Sequence, residues 1–364
     1  MEKELEYWLK LSRISNLRTS IKIELIIALG GARNVFEAEK EILLKSGFTE
    51  QHYEFLHSDE LSRDTDNIME LCSQKNIDIL PIPHDDYPEM LKYIPDPPLV
   101  LYVRGSIPKA NAVAIVGSRR ASGYGIETAF KIASELASSD IVIVSGMARG
   151  IDTAAHSGAL DAGGRTVAVL GCGVDIVYPP ENRGIMERII KSGAVISEFP
   201  PGSPPSPYNF PSRNRIISGM SLGTLVVEAG IKSGSLITAN YALEQGRDVF
   251  AIPGNINSYN SMGTNRLIKD GAKIVLDYED ILDELSFGTV PFEKKKRGKV
   301  KSRTSALGEN ERKIISALKI EDLYDEELSE KTSIHLTDLY EILLELELKG
   351  VVKKSITGKY MYIS

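Results

Sequence analysis

The chain has 364 residues, 42% of them hydrophobic and 26% charged, with a formal net charge of −7; this length exceeds one ordinary core and predicts two or three domains. No apolar run approaches the ~20 residues of a membrane span. The acidic balance excludes a globally basic nucleic-acid surface, so any polyanion site must be a local concentration of basic groups.

The N-terminus, MEKELEYWLKLSR, carries acids early and lacks an apolar signal core, which predicts a cytoplasmic protein. Residues 1–75 follow helical periodicity, with Gly30-Gly31 and Ser46-Gly47 punctuating short amphipathic helices, so a small helical domain is expected. The glycine pair fits a helix-hairpin-helix that binds phosphate through loop amides. It fits a plain packing turn as well, and packing is the expectation. Cys72 and Cys172 lack C-x-x-C spacing, which argues against a zinc knuckle or a disulfide and predicts buried thiols.

From Ile77 the pattern changes to short β-branched runs: IDILPI, LVLYVRG, VAIVG, IVIVSG, TVAVLG, AVISEF, TLVVEAG, DVFAIPG and KIVLDY. Continuous apolar strands alternating with helices predict a parallel, doubly wound α/β sheet, with the domain spanning residues 76–287. Ligands of such sheets lie beyond the carboxyl ends of the strands. One crevice should therefore be rimmed by Gly117-Ser118-Arg119, Ser145-Gly146, Gly171-Cys172-Gly173, Glu198, Glu228 and Pro253-Gly254, with Thr264-Asn265-Arg266 adding amides or charge.

The stretch AVAIVGSRRASGYG begins like a dinucleotide site, yet Arg119 stands where the G-x-G-x-x-G fingerprint needs its second glycine. No acid follows the second strand of that unit to hold ribose hydroxyls, and no G-x-x-x-x-G-K-[ST] occurs. Two guanidinium groups, Arg119 and Arg120, beside unpaired helix amides form a phosphate receptor. Arg120 suits a structural ion pair equally well. A second basic cluster, YNFPSRNRIISGMS, interleaves aromatics with Arg213 and Arg215 and is expected just before a helix, presented as a fixed lip by the proline-rich FPPGSPPSP. Aromatic faces stack unpaired bases, arginines take phosphates, and Asn214 can bond a base edge, so the composition suits a single nucleic-acid strand. Phe210 alone fits a core plug nearly as well.

Asp152 and His156 stand four apart, a spacing a metal can use, but no third ligand is evident and a helix-surface hydrogen bond is the expectation. Glu228 has no nucleophilic partner in view, which favours hydrogen bonding to loop amides over acid–base chemistry.

Residues 288–304 form a basic linker. Lys294 to Arg303 contains seven basic residues and no acid, a composition expected to stay mobile and attract phosphates. Residues 305–364 return to helical periodicity and close with a glycine-turned hairpin, which describes a winged helix. That segment carries twelve acids against eight bases, and Asp338, Glu341, Glu345 and Glu347 lie on its candidate recognition helix, so DNA reading is not expected of it.

The motifs DDYPEMLKYIPDPPLVLYVRG, VAIVGSR, VSGMARGIDTAAHSGAL, VAVLGCGVDIVYPPEN, SEFPPG, FPSRNRIISGMS, VVEAGIKSGSLITANYALEQGRDVFAIPG and GTNRLIKDGAKIV occur in this order, and by them the chain resembles the DNA-processing protein A (DprA/Smf) family. The resemblance implies a sterile-alpha-motif-like helical domain, an extended Rossmann-like domain and a winged helix. It also implies a homodimer that binds single-stranded DNA without sequence preference, protects it and loads RecA recombinase during natural transformation, with no cofactor, no membrane partner and no catalysis. Carried over by position, the Gly-Ser-Arg arginine is Arg119, and the Phe-Pro-x-Arg-Asn-Arg group is Phe210, Arg213, Asn214 and Arg215. With Gly117, Ser118, Ser145 and Gly146 these make the expected DNA-binding set. Pro180 departs from the lysine that many members have after Tyr-Pro, which removes one phosphate contact or passes it to Arg183. A runner-up is a nucleotide-hydrolysing enzyme: GMSLGTLVVEAG is similar to the Gly-Thr-x-x-Glu element of nucleoside monophosphate phosphoribohydrolases, but Ser-Gly-Met replaces that element's Pro-Gly-Gly start. A purely structural scaffold is the third reading.

Overall fold

The computed structural model describes residues 2–286, 308–319, 321–348, 351–354 and 359–362. These belong to two compact units, Met1–Phe292 and Glu293–Ser364. The basic run Lys294 to Arg303 lies outside the described residues.

Six helices open the first unit: α1 (Glu2–Arg13), α2 (Thr19–Leu29), α3 (Ala32–Glu37), α4 (Lys40–Lys45), α5 (Glu50–Leu56) and α6 (Asp59–Gln74). Local chemistry sets several of their ends. The Thr49 and Ser58 hydroxyls accept the amides of His52 and Leu61 at the starts of α5 and α6. The amides of Gly30 and Gly31 donate to carbonyls of α2's last turn, so that glycine pair is a helix stop whose amides are already used. Trp8, Leu9, Leu25, Leu43, Ile68 and Cys72 share one apolar cluster with Val100, Tyr102, Leu170 and Val195, so these helices and the sheet bury a common core.

Nine strands form that sheet: β1 (Asp78–Pro81), β2 (Val100–Gly105), β3 (Ala112–Val116), β4 (Val142–Ser145), β5 (Thr166–Val169), β6 (Ala194–Ser197), β7 (Gly223–Val226), β8 (Asp248–Ala251) and β9 (Lys273–Ile274). Their order is β1-β2-β6-β5-β4-β3-β7-β8-β9. The seven strands from β3 to β9 run parallel, while β1 pairs antiparallel with β2 and β2 antiparallel with β6. The expectation of a wholly parallel sheet therefore fails at one edge. The segment from β1 to β2 carries only a short 3-10 turn, Glu89–Tyr93, instead of the crossover helix that parallel neighbours need.

Helices α7 (Gly123–Ser138), α8 (Ile151–Asp161), α9 (Arg183–Ser192), α10 (Asn209–Gly219), α11 (Gly234–Glu244), α12 (Tyr259–Lys269) and α13 (Tyr278–Ser286) cover the sheet. Alternation along β3 shows the double cover directly. Val113 and Ile115 pack with α7 and α8, whereas Ala112, Ala114 and Val116 pack with α10 and α11. From β3 the chain winds outward one way through β4, β5 and β6, then returns to wind the other way through β7, β8 and β9. The gap between β3 and β7 is the switch point, where the fold leaves a crevice open.

The second unit contains α14 (Glu309–Leu318), α15 (Asp325–Thr332), α16 (Leu336–Leu348) and a hairpin of β10 (Val352–Lys354) with β11 (Tyr360–Tyr362). Ile314, Leu328, Leu339, Leu343 and Tyr360 centre its own core, the arrangement of a winged helix. Both cysteines are buried, and burial pushes the Cys72 thiol up to about 12 and that of Cys172 up to about 11. Among the described residues, no helix is long and apolar enough to cross a membrane.

Candidate nucleic-acid interface

A crevice of about 750 Å³ opens at the switch point, and Gly117, Ser118, Arg119, Phe210, Arg213 and Asn214 all line it. Close packing dictates Gly117. A Cβ there would come within 2.6 Å of Ile151 and 3.0 Å of the Glu228 carbonyl, so a side chain would separate the β3 end from α8. The Ser118 amide donates to the Glu228 carbonyl at 2.8 Å, tying the loop after β3 to the loop after β7. Arg119 and Arg120 project from this tied loop into solvent, and neither forms an ion pair among the described residues.

The cluster around Phe210 was expected ahead of a helix, yet it forms the first turns of α10. Pro211 is compatible with this because the first helical turn has no intrahelical amide acceptor to lose. The helix then sorts the cluster by period. Phe210, Arg213, Asn214 and Ile217 fall at i, i+3, i+4 and i+7 and face the crevice together. Arg215, two residues after Arg213, points about 200° away from it.

The two arginines accordingly have different surroundings. The Arg215 guanidinium makes a bidentate pair with Glu198 at 2.7 and 2.6 Å and bonds the Asp96 carbonyl and carboxylate at 2.9 and 3.1 Å. Burial would lower its pKa, but the carboxylates of Glu198 and Asp96 outweigh burial and raise it. The expected phosphate contact at Arg215 is thus replaced by a buried ion pair that pins α10 to the end of β6. Arg213 lines the crevice but is also buried, and it donates to the carbonyls of Gly146 (3.0 Å) and Val169. Burial pushes its guanidinium down to about 10. It braces the strand ends beneath the crevice.

Ser145 is likewise removed from the expected surface. It is fully buried and donates to the Ile115 carbonyl at 2.6 Å, joining β4 to β3. Gly146 is buried beside it, with its amide on Asp152 at 3.1 Å. Glu198 is taken by Arg215, and Asn265 bonds both backbone groups of Gly254 at 3.1 and 2.9 Å, so these rim candidates serve the scaffold. Arg183 is exposed at the start of α9 and is not among the crevice-lining residues.

Phe210 is half-buried, neither a core plug nor a free ring. Its ring stacks on Tyr178 at 5.5 Å between centroids with a 26° tilt, and the Arg119 guanidinium lies 5.2 Å from its centroid. The second ring and the cation both lie against Phe210, so an aromatic surface and a phosphate-seeking charge sit side by side. Sequence reading missed Tyr178, Lys232 and Tyr259 in the crevice lining, because nothing local marks a tyrosine or a lysine as facing a cavity assembled from distant loops. The charged residues of the crevice lining are Arg119, Arg120, Arg213 and exposed Lys232 against one carboxylate, Asp152, which is buried and pushed up to about 6 by desolvation. The crevice is therefore locally cationic in an acidic chain.

Glu228 accepts from the Ser122 amide at 2.9 Å, the Ser122 hydroxyl and Asn260 at 3.3 Å, so its carboxylate holds the start of α7. His156 is buried with Nδ1 2.7 Å from the Thr166 hydroxyl, and burial pushes it down to about 3. Thr166 gives its own proton to the Ile143 carbonyl, so His156 Nδ1 is the donor. Asp152 caps amides while His156 bonds Thr166. Among the described residues, no three His, Cys, Asp or Glu side chains gather as a metal would require.

A family model described as DNA recombination-mediator protein A matches residues 78–286. Protein Smf of Synechocystis is 39% identical over 300 residues, covering 79% of this chain and 74% of that protein. DNA processing protein DprA of Streptococcus pneumoniae is 46% identical over 205 residues, covering 56% of this chain and 72% of that one. The X-ray structure of the Streptococcus pneumoniae protein superposes with a TM-score of 0.66 at 38% identity, over 76% of this chain and 96% of that one. A structure describing the single-stranded DNA binding mode of DNA processing protein A from Helicobacter pylori gives 0.52 at 29% identity, over 57% of this chain and 95% of that one.

Proposed function

Because this chain belongs to the DNA recombination-mediator protein A (DprA/Smf) family, we propose that it binds single-stranded DNA in the crevice between β3 and β7 and acts as a recombination mediator. The observation that carries this reading is the wall made by Phe210 with Tyr178 and Arg119 against it, at a locally cationic crevice. A strand with its bases unpaired offers both things this wall accepts, a phosphate and a π-face. A duplex hides its bases, so single strands should bind more tightly. Glu228 supports binding over nucleotide hydrolysis, because its carboxylate is held by Ser122 and Asn260.

The strand contacts are assigned to Arg119 and Arg120 for phosphates, Phe210 for a base and Asn214 for a base edge, on a floor of Gly117 and Ser118. Arg213 and Arg215 hold α10 in place. The protein protects incoming DNA in the cytoplasm, delivers it to RecA recombinase during natural transformation, and works as a homodimer. Exposed Ile274 and Leu276, beside the open edge of the sheet at β9, support self-association.

A gel-shift titration with single- and double-stranded oligonucleotides at two salt concentrations tests the reading. Tighter single-strand binding that weakens with salt is expected. Equal affinity for both forms, or release of free base from nucleotides, would refute it.

A further inference from the structure

Tyr259 is an aromatic in the crevice that the Phe210 wall does not include. It is the first residue of α12, 62% exposed, and lines the same crevice. Its backbone is anchored. The neighbouring Asn260 accepts the Ala229 amide at 2.7 Å and donates to the Arg120 carbonyl at 3.0 Å and to Glu228 at 3.3 Å, while the Gly263 amide bonds the Ala229 carbonyl at 2.8 Å. Its ring is seated as well. It lies so near Gly230 that a Cβ there would come within 2.4 Å of Tyr259 Cε1. The Cε1, Cζ and Oη end of the ring thus lies against bare backbone, while most of the residue stays exposed. Arg120, whose carbonyl bonds the same Asn260, and Lys232, two residues beyond Gly230, line the same crevice and add positive charge to it.

The sheet order separates the two aromatic positions. Phe210 packs on Gly171, just past the end of β5, and Tyr259 on Gly230, just past the end of β7. Between those ends lie three strand spacings, β5-β4-β3-β7, or about 14 Å. That equals about four nucleotides at a stacked rise of ~3.4 Å per base, and fewer in an extended strand. Arg119 and Arg120, after β3, lie between the two rings.

Building on the single-strand reading, we infer that Tyr259 is a second base-stacking platform, so that one strand crosses the switch point with a base on Phe210, phosphates on Arg119 and Arg120, and a later base on Tyr259. The occupant is a nucleobase of the bound strand.

The test measures anisotropy of a fluorescein-labelled oligothymidylate, about 20 nucleotides long so as to exceed a single binding site, against the full-length protein. Tyr259→Ala should weaken binding by about fivefold or more, the range of one lost stacking contact, with an unchanged salt slope because no charge is removed. Tyr259→Phe should bind as wild type, and Tyr259→Leu, which keeps apolar bulk without a π-face, should bind like the alanine variant. Gly230→Ala should also weaken binding by displacing the ring while leaving it present. Thermal unfolding of each variant checks that the fold is intact. Arg119→Ala and Phe210→Ala serve as controls. If both controls bind weakly while Tyr259→Ala stays within twofold of wild type, or if the leucine variant binds like tyrosine, the platform is refuted and the crevice reading stands. If neither control weakens binding, the crevice reading itself falls.

Discussion

Replacing Arg215 with alanine separates a scaffold role from a DNA role. The guanidinium has 10% of its side-chain surface exposed and satisfies Glu198, itself 18% exposed, through two parallel hydrogen bonds, with Asp96 as an outer partner. Deleting it leaves the Glu198 carboxylate in a poorly hydrated site facing no cation, a change that costs about 3–5 kcal/mol in buried pairs. The Ser212 carbonyl and Asp96 lose donors too, but Asp96 is 54% exposed and can take water instead. For a cooperative unit spanning Met1–Phe292, an unfolding entropy of ~2.1 cal/mol/K per residue converts that loss into a Tm decrease of about 5–8 °C. Calorimetry or circular dichroism measures the decrease, and single-strand titration below the transition measures binding by the folded fraction. Adding Glu198→Gln to the same chain removes the stranded charge and should restore part of the Tm. A variant with unchanged Tm and a flattened salt dependence of DNA binding would refute the reasoning, because it would place the guanidinium on phosphate.

Arg119→Ala should do the reverse, leaving Tm unaltered, weakening single-strand binding across sequences and reducing the magnitude of the salt slope by about 0.7; unchanged binding and slope would remove Arg119 from the interface. His156 is neutral in the fold, with its pKa pushed from 6.5 to about 3, so unfolding takes up a proton at acid pH. Its contribution is complete above pH 6.5 and is lost as pH falls toward 3. His156→Gln should therefore show a shallower acid decline in stability than wild type, and an equally steep decline would contradict the assignment. A chain ending at Arg303, which keeps the basic run and removes the winged helix, should bind single strands within about threefold of full length, less than ~1 kcal/mol. The reason is that Asp338, Glu341 and Glu345 lie exposed on α16. A tenfold loss in a folded truncation would show that the hairpin lysines Lys353, Lys354 and Lys359 touch DNA.

The alternation of short β-branched runs with turns was enough to predict nine strands, because a strand buried on both faces must be continuously apolar and end where the chain turns toward a helix. The two edge strands β1 and β9 are not buried in this way, and only their β-branched residues marked them. All nine are present. Gly117-Ser118-Arg119 and Phe210 could be placed at a crevice from sequence for the same reason, since loops after parallel strands converge on one edge of the sheet. Period alone also separates Arg213 from Arg215, once Pro211 is accepted within the first turn of α10. The partners are a different matter. Glu198 stands 17 residues before Arg215 and Asp96 stands 119 before it, and only the strand order carries both carboxylates to one guanidinium. The meeting of Tyr259 with Gly230 likewise exists only because α12 folds back over the end of β7. Whether a charged or aromatic side chain faces solvent, a ligand or a buried partner depends on contacts between segments far apart in the chain. Local pattern records the period of an element and its ends, and the packing of elements decides what each face meets.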